Sequence, residues 1–354
     1  MERPESFAGL DPALDSNTPH RATNDRQSLW FRAVILLAWA TTLALAAIAL
    51  LRLTYHDGRH PLIWINAFTR YVYLPAYVSL IFGIWQRHRW LVLANAAVVG
   101  CHLFWMAPDF LRDRRADATT QPIVADQSRS ARLRIFFANV RSENQEFDAF
   151  FSEIARVDPD IIVLAECTIT WRQVIRQSSF VAKYPYGSGS TQWLADDVGV
   201  FSKIPISRET QPQFAERVIR VLDVPVGRQI LHVVGLHAPR PMNFHENDYD
   251  GFWQGALPLI ESVPHPLVVV GDCNATQYSL VYQQLKASSL RSAHEDRGRG
   301  YATSWPNGTL PLPPIRIDQA FLSPDVACTS ISEGEGSGSD HKPLILDVQI
   351  GEPH

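Results

Sequence analysis

Cysteine is scarce in this chain and offers no structural framework. Only four cysteines occur among 354 residues, and their spacing fits neither a zinc site nor a dense disulfide scaffold. This excludes zinc-finger and disulfide-stapled classes of protein. Cys167 and Cys273 each follow a candidate site acid, and we interpret both as small buried side chains beside the site.

An excess of basic residues is also missing. From Ala131 onward the chain has 19 Lys and Arg against 26 Asp and Glu, a net charge of -7. A domain that grips nucleic-acid backbone usually presents a basic face. The balance weakens a nuclease interpretation without excluding one, because bound metal would neutralise several of these carboxylates.

Charge is absent from residues 33–51, which lie between Arg32 and Arg52. A run of roughly 20 apolar residues crosses a bilayer as a helix, so we predict a transmembrane helix here. Apolar segments at 62–85 and 90–106 complete a predicted three-helix anchor over residues 30–107, after a disordered tail at 1–29 that lacks the apolar core of a signal peptide. Arg70 interrupts the second segment, and we expect it to snorkel to the membrane boundary. Positive charges balance on the two sides, which leaves the orientation open.

Beyond a polar linker at 108–130, residues 131–354 change character. Short β-branched runs alternate with amphipathic segments, for example a strand at 133–139, a helix at 147–157 and a strand at 161–164. Many strands with a few interleaved helices predict an α/β or α+β sandwich.

Polar side chains that suit metal and phosphate chemistry follow these strands. Asp272 and Asn274 end the buried run 267–270, and the alternation of an extended chain points both the same way. Other strand ends carry Asn139 with Arg141, Glu166, His237, Asp318, and Asp340 with His341. A set of this kind is what a metal-dependent phosphohydrolase needs.

The motifs around these residues occur in the order seen in the endonuclease/exonuclease/phosphatase superfamily, which residues 133–350 resemble. They are Asn139-Val140-Arg141, Leu164-Ala165-Glu166, Gly235-Leu236-His237, Gly271-Asp272-Cys273-Asn274, Ile317-Asp318 and Ser339-Asp340-His341-Lys342-Pro343. The resemblance implies a four-layer sandwich of two packed mixed β-sheets flanked by helices. With its anchor the chain looks most like the bacterial membrane-bound branch, for which polyprenyl pyrophosphate is a proposed substrate outside the membrane.

The resemblance also implies roles for single residues. Glu166 would be the principal ligand of Mg2+ or Mn2+, with Asn139 and Asp340 completing the metal centre. His341 would take a proton from the attacking water, with Asp318 fixing its tautomer. A further set would bind or position phosphate and nucleophile: Asp272, Asn274, His237 in its protonated form, and Arg141.

Two points stay open at this stage. The carboxylate partner of His237 is not identified, and Asp196, Asp197 and Glu216 are equal candidates. Gln319 and Cys273 stand where related membrane-bound sequences often have His and Phe. Both are neighbours of the chemistry, so they bear on substrate preference more than on activity.

We therefore expect a phosphohydrolase of the bacterial inner membrane with its catalytic domain outside the cytoplasm. Its partners would be the bilayer and a phosphorylated lipid, such as polyprenyl pyrophosphate or a phospholipid, and the sequence indicates no protein partner. Two alternatives stay open: an anchored extracytoplasmic endonuclease or exonuclease, and a catalytically inactive membrane scaffold.

Overall fold

The computed structural model describes residues 18–58, 60–111, 131–187, 198–241, 247–308 and 310–351. Its amino-terminal helices are α1 (Thr18–Tyr55), α2 (His60–Ala67), α3 (Thr69–Val72), α4 (Leu74–Trp85) and α5 (Arg89–Phe110). The later helices are α6 (Phe147–Val157), α7 (Ile169–Gln177), α8 (Phe180–Lys183), α9 (Asn247–Ser262), α10 (Leu280–Ala287) and α11 (Ala293–Asp296).

Within the described residues, every strand follows residue 130. In the first half they are β1 (Ala131–Asn139), β2 (Ile161–Ala165), β3 (Tyr186–Gly187), β4 (Gly199–Ser202), β5 (Arg208–Thr210), β6 (Gln213–Phe214) and β7 (Arg217–Val218). In the second half they are β8 (Arg220–Val226), β9 (Gln229–His237), β10 (Leu267–Asp272), β11 (Arg291–Ser292), β12 (Asp318–Leu322), β13 (Val326–Glu333) and β14 (Leu344–Ile350).

Two six-stranded mixed sheets form the body of the domain. Their strand orders are β13-β14-β1-β2-β4-β3 and β11-β12-β10-β9-β8-β5. The central pairs β1–β2 and β9–β10 are parallel, whereas their neighbours run antiparallel. Parallel neighbours end at the same edge of a sheet, which is where the predicted site residues follow the strands.

Alternating side chains divide each sheet into an inner and an outer face. Ile135 and Phe137 of β1 share one buried cluster with Val268 and Val270 of β10, so this cluster lies between the sheets. Phe136 instead joins the cluster that contains residues of α6 and α7, and the outer face of β10 joins one that contains residues of α9 and α10. The layers are therefore helix, sheet, sheet, helix, which confirms the predicted fold class.

Gly235 shows how closely the two sheets approach. A Cβ atom built on Gly235 of β9 would lie 2.7 Å from Cγ1 of Val163 in β2. That distance is well below ordinary van der Waals contact, so a larger residue would force the sheets apart. Glycine at this position lets the strands that carry His237 and Glu166 pack face to face.

The amino-terminal part contains two helices that are long and apolar enough to cross a membrane, Leu29–Tyr55 and Arg89–Phe110. A third apolar segment is a helix pair, Pro61–Ala67 and Thr69–Trp85, bent by 76°, and it counts as a span only if the pair is one broken helix. Asn95 of α5 exchanges hydrogen bonds with Thr42 of α1 at 2.9 and 3.2 Å. This is the helix–helix role expected of a buried amide in such a segment.

The chain divides into two compact units, Met1–Ile48 with Leu74–Val99, and Ala49–Tyr73 with Gly100–His354. The second unit thus contains α2, α3 and the end of α5 together with both sheets. Arg70 is buried in it and does not snorkel, because its Nε atom donates to Asp109 at 2.8 Å and to the Tyr278 hydroxyl at 3.0 Å. Its other nitrogens donate to the carbonyls of Gly300 and Tyr301, both at 2.7 Å.

The amino-terminal boundaries differ in part from the prediction. Helix α1 begins at Thr18, so residues 18–29 of the predicted disordered tail are helical. Residues 1–17 and most of the predicted linker, 112–130, lie outside the described residues. The limits of the anchor, linker and catalytic domain stay predictions.

Candidate active site

Three candidate residues lie side by side in one row across neighbouring strands of the second sheet. Asp272 at the end of β10 pairs with His237 at the end of the parallel strand β9. On its other side Asp272 pairs with Asp318, the first residue of the antiparallel strand β12. The hydrogen-bond register of the sheet therefore places two acids and one histidine side by side.

Asn139 joins the first sheet to this row. It ends β1, and its Nδ2 atom donates to Oε1 of Glu166 and to Oδ2 of Asp272, both at 3.1 Å. Its Oδ1 atom accepts from the backbone N–H of Arg141 at 3.0 Å. One amide thus holds together carboxylates that come from different sheets.

Glu166 leaves β2 in a left-handed conformation, with φ of 55°. A non-glycine residue in this region costs about 1 kcal/mol or more, and such strain concentrates at functional sites. Its Oε2 atom accepts from the Ser142 N–H at 2.9 Å. Burial alone would raise the pKa of Glu166, but His237, the Ser142 N–H, Asn139 and Arg240 outweigh it, so the pKa is lowered and the carboxylate is ionised.

His341 and Asp318 form a buried dyad. Nδ1 of His341 lies 2.8 Å from Oδ2 of Asp318, and both side chains are almost wholly inaccessible to solvent. Ser304 supports the acid, because its Oγ atom accepts from the backbone N–H groups of Ile317 and Asp318, both at 3.1 Å. With Nδ1 occupied, Nε2 of His341 is the nitrogen available to a substrate or water.

The turn that presents His341 is tied to β1 and α6. Ser339 donates to the Asn139 carbonyl at 2.7 Å and accepts from the His341 N–H at 3.0 Å. The buried carboxylate of Glu153 accepts from the N–H groups of Glu335 at 2.6 Å and Gly336 at 3.2 Å. These contacts fix the position of the turn that carries His341 relative to the end of β1.

The charges around His341 favour its protonated form. Burial would lower its pKa, but the carboxylates of Asp318, Asp272 and Asp340 outweigh it and raise the pKa to about 10. The pKa of Asp272 is raised by burial and by the neighbouring charge of Asp318. Buried like charges that raise one another's pKa values are a common feature of catalytic and metal sites.

His237 lies between two acids. Its Nε2 atom is 3.9 Å from Oε1 of Glu166 and 3.8 Å from Oδ2 of Asp272, so these are the carboxylates that face it. Asp196 and Asp197 lie outside the described residues. Burial is the largest influence and lowers the pKa of His237, which favours the neutral ring over the protonated form on which its expected charge-stabilising role depends. A neutral imidazole still offers one N–H to a phosphoryl oxygen.

The remaining polar candidates surround this cluster. Asn274 donates through Nδ2 to the Ala238 carbonyl at 2.9 Å, and its N–H donates to Asp272 Oδ1 at 2.9 Å. Arg240 is largely exposed, and its NH2 atom lies 3.8 Å from Oε1 of Glu166. Arg141 pairs through Nε with the exposed Glu143 at 3.3 Å, a contact weak enough to be exchanged for phosphate.

Asp340 contacts residues outside this cluster. Its Oδ2 atom accepts from Nε1 of Trp305 at 3.2 Å, and its carbonyl accepts from the Asn307 N–H at 2.7 Å. Metal binding by Asp340 therefore stays a prediction. The sequence prediction assigned no role to Trp305, Ser304, Ser339 or Glu153, since a hydrogen bond to a group far away in the sequence leaves no periodic signal.

The donor set fits a divalent cation. Glu166, Asp272 and Asp318 place three buried carboxylates in one cluster, and hard oxygen ligands of this kind suit Mg2+ or Mn2+. Among the described residues, ligand atoms of Asp272, Asp318 and His341 also lie within 4.8 Å of one another, a second arrangement that could hold a metal. The short hydrogen bond between Nδ1 of His341 and Oδ2 of Asp318 already occupies both side chains, which favours the Glu166 side for the cation.

Comparison with known proteins agrees with this geometry. The model of the endonuclease/exonuclease/phosphatase family matches residues 136–341, from β1 to His341. No curated protein sequence matches the chain.

Solved structures share the fold at low identity. TDP2 of D. rerio in complex with a single-strand DNA product aligns with a TM-score of 0.50 and 17% identity, over 61% of this chain and 98% of that one. Truncated TDP2 of Caenorhabditis elegans gives a TM-score of 0.50 and 13% identity, over 62% and 98%. The family match covers more than half of the chain, which therefore belongs to the endonuclease/exonuclease/phosphatase family of metal-dependent phosphoester hydrolases.

Proposed function

We propose that this chain is a membrane-anchored, divalent-metal-dependent hydrolase that cleaves a phosphoester or pyrophosphate of a membrane lipid. The observation that carries the hydrolytic part is the Asp318–His341 dyad beside Asp272, with Nδ1 of His341 2.8 Å from the acid. A histidine oriented by a buried carboxylate is the standard device for activating a nucleophile. Here no side-chain nucleophile is needed, because water can be the attacking group.

His341 is the proposed general base. Nε2 of His341 lies 3.8 Å from Oδ2 of Asp272, too far for a direct hydrogen bond, and a water between them could contact both atoms. Asp272 orients this water and His341 takes its proton. Asp318 holds the imidazole in the tautomer with a free Nε2 and stabilises the imidazolium that forms.

Glu166 is the proposed principal metal ligand, with Asn139 and Asp340 as further ligands. A bound Mg2+ or Mn2+ would polarise a phosphoryl oxygen and offset charge that develops in the transition state. The shared Asn139 amide holds Glu166 next to Asp272, so the group that orients water stays close to the metal ligand. His237, Asn274 and Arg141 supply hydrogen-bond donors to phosphoryl oxygens.

The lipid preference is supported by the rest of the chain. Two helices are long and apolar enough to span a membrane, which indicates membrane association. The part from Ala131 onward is acidic, which disfavours polyanionic nucleic acid more than a single lipid phosphate. From the resemblance to the bacterial branch we place the protein in the inner membrane with its catalytic domain outside the cytoplasm. Protease accessibility of this domain in spheroplasts tests its side of the membrane.

A nuclease is the second candidate. The similarity of the fold to D. rerio TDP2, whose structure contains a single-strand DNA product, favours it. The constellation described above would cleave a phosphodiester of DNA by the same steps, so only the substrate distinguishes the two functions. The inactive scaffold is the least favoured, because the acids and histidines needed for catalysis are present and brought together.

The test is a parallel assay of the full chain in lipid nanodiscs with Mg2+ or Mn2+. Phosphate release from farnesyl pyrophosphate and a phospholipid phosphate is compared with cleavage of single- and double-stranded DNA. We expect lipid turnover to exceed DNA cleavage by at least tenfold in kcat/KM. The His341→Ala variant controls for contaminating hydrolases.

The nuclease and the inactive scaffold each predict a different result in this assay. DNA cleavage at a rate equal to or above lipid turnover, lost in His341→Ala, would overturn the lipid preference and leave the nuclease. No metal-dependent turnover of any of these substrates, together with no Mn2+ binding, would leave the scaffold.

A further inference from the structure

A cavity of about 350 Å3 adjoins the proposed catalytic centre. His341, Asp340 and Asn274 line it, so a molecule in the cavity contacts the residues that would meet the phosphate. Its volume lies at the low end of the range typical of small-molecule sites. The cavity belongs wholly to the second compact unit.

Most of the remaining lining is apolar. It comes from helix α2 and from the segment that leads to β12: Ile63, Trp64, Ala67, Leu310, Ile315 and Ile317. The charged residues among those that line it are Arg240, Asp340 and, when protonated, His341. One cavity thus combines an apolar surface with groups suited to phosphate, which is the composition that an amphipathic ligand requires.

Helix α2 is held firmly against the catalytic part. Ile63 belongs to the buried cluster that also contains Ala275, the neighbour of Asn274. Beyond α2 in the chain, the Tyr71 hydroxyl donates to the Pro314 carbonyl at 2.7 Å. Before it, Asp57 accepts from the Leu280 N–H at 2.6 Å, at the start of α10. The cavity wall is therefore part of the folded unit and not a loosely attached segment.

The same helix is part of the hydrophobic amino-terminal region. Pro61–Ala67 is the first arm of the bent apolar pair that continues to Trp85.

We propose that this cavity binds the hydrocarbon chain next to the scissile phosphate, and that Trp64 and Ala67 determine which chains are accepted. The inference rests on the proposed lipid-phosphate hydrolysis and adds the substrate class: a phosphate or pyrophosphate on a linear apolar chain. Arg240, exposed beside Glu166, contacts the phosphate as it enters. Nucleic acid fits poorly, because its ribose and phosphate groups would face an apolar wall.

The limited volume of the cavity predicts how kcat/KM depends on the length of the hydrocarbon chain. The cavity holds only the part of the chain near the phosphate, so each added unit should improve kcat/KM until the cavity is full and none after that. A pocket that recognises methylenes gains roughly tenfold or more per group that it buries. The series dimethylallyl, geranyl, farnesyl and geranylgeranyl pyrophosphate should therefore show a rise followed by a plateau.

The experiment measures kcat/KM along this series for the full chain in nanodiscs, with two opposite substitutions. Ala67→Phe reduces the cavity and should move the plateau to a shorter chain, lowering the farnesyl to dimethylallyl ratio about tenfold. Trp64→Ala enlarges it and should move the plateau to a longer chain. The control is Trp85→Ala, because Trp85 is 75% exposed and lies outside the lining.

The results separate this inference from the proposed function. Hydrolysis of all four pyrophosphates with no dependence on chain length, or with equal ratios in all variants, would overturn the cavity assignment and leave the hydrolase intact. If none of the four pyrophosphates is hydrolysed, both the cavity assignment and the proposed hydrolase function would be overturned for pyrophosphate substrates. A shift in one direction for Ala67→Phe and in the other for Trp64→Ala supports the assignment, and a misfolded variant cannot produce opposite shifts.

Discussion

Oδ2 of Asp318 lies 2.8 Å from Nδ1 of His341, and the two residues come from different parts of the chain that meet at the end of the second sheet. The acid is fixed by its position in β12 and by Ser304, whereas the histidine is fixed by the turn that follows Gly338. Their contact leaves Nε2 of His341 as the nitrogen that can exchange a proton with a substrate or water. The dyad is the part of the site whose role depends least on the identity of the substrate.

Replacing Asp318 by Asn should slow the reaction with little effect on substrate binding. The amide offers an N–H where the carboxylate accepts one, so the imidazole loses its orientation and its stabilised cation. We expect kcat to fall by about a hundredfold or more while KM changes little. Asp325→Asn is the matched control, since Asp325 is exposed and pairs with His265 away from the dyad. Equal kcat values for the two variants would refute the dyad.

The Glu166→Gln substitution should weaken Mn2+ binding at least tenfold while it preserves the fold. Glutamine can still accept the hydrogen bond from Asn139 but loses the negative charge that a hard cation needs. Calorimetric Mn2+ titration measures the affinity, with Glu261→Gln as a control at an exposed acid. Unchanged affinity in Glu166→Gln, with a loss in Asp318→Asn, would place the ion in the Asp272, Asp318 and His341 group instead.

Metal binding should release a proton at neutral pH. In the metal-free protein the pKa of His341 is raised to about 10 by Asp318 and Asp272, so its ring is protonated. A cation held by Glu166, next to Asp272, adds positive charge to this cluster and should lower the pKa of His341. Titrations in buffers of different ionisation enthalpy count the proton. If wild type and His341→Ala release the same number of protons on metal binding, this linkage would be contradicted.

Gly338→Ala should impair catalysis more than its backbone strain explains. Gly338 has φ of 74°, and an added Cβ would lie 2.1 Å from Oδ1 of Asn144, in the turn that carries His341. The turn must move, and kcat should fall at least about tenfold because small displacements of catalytic groups are costly. Gly308→Ala is the control, with φ of 73° and open space around it. Similar kcat in both variants would show that the turn tolerates the shift.

His294 should make the protein less stable in mild acid. Burial is the main cause that lowers its pKa to about 4, whereas the unfolded chain has the ordinary value near 6.5. Between these values the unfolded state binds a proton that the folded state does not, so stability is present above pH of about 6.5 and is lost as pH falls to about 4. The loss is about 3 kcal/mol.

The measurement is thermal unfolding in detergent across this pH range. His294→Gln should flatten the dependence, and the more exposed His265→Gln should retain it. An unchanged slope in His294→Gln would contradict the assignment.

Much of the catalytic fold could be predicted because local periodicity and burial agree there. The predicted helix at 147–157 has the observed bounds of α6, and the strand before Asp272 is present as predicted. Strand β13, Val326–Glu333, was not predicted, since its exposed Ser and Thr residues break the alternation that marks a strand. Tertiary pairing with β14 forms it nonetheless.

The site was predicted as a set of residues, but not as a network. Strand-end positions indicated Glu166, Asp272 and His341, because the period of a strand places them at one edge. The bonds of Trp305 to Asp340 and of Arg70 to Asp109 join positions far apart in sequence, and no local pattern indicates them. The same holds for α2, whose apolar sequence indicates a membrane segment while its side chains line a cavity beside His341.

Phosphate release from farnesyl pyrophosphate by the full chain in nanodiscs tests the central claim most directly. The reaction is followed with Mg2+ present and after chelation, in wild type and in His341→Ala. The account predicts release only in wild type with metal, at a rate at least about a hundredfold above the variant. Release that persists without metal, or at an equal rate in His341→Ala, would contradict it.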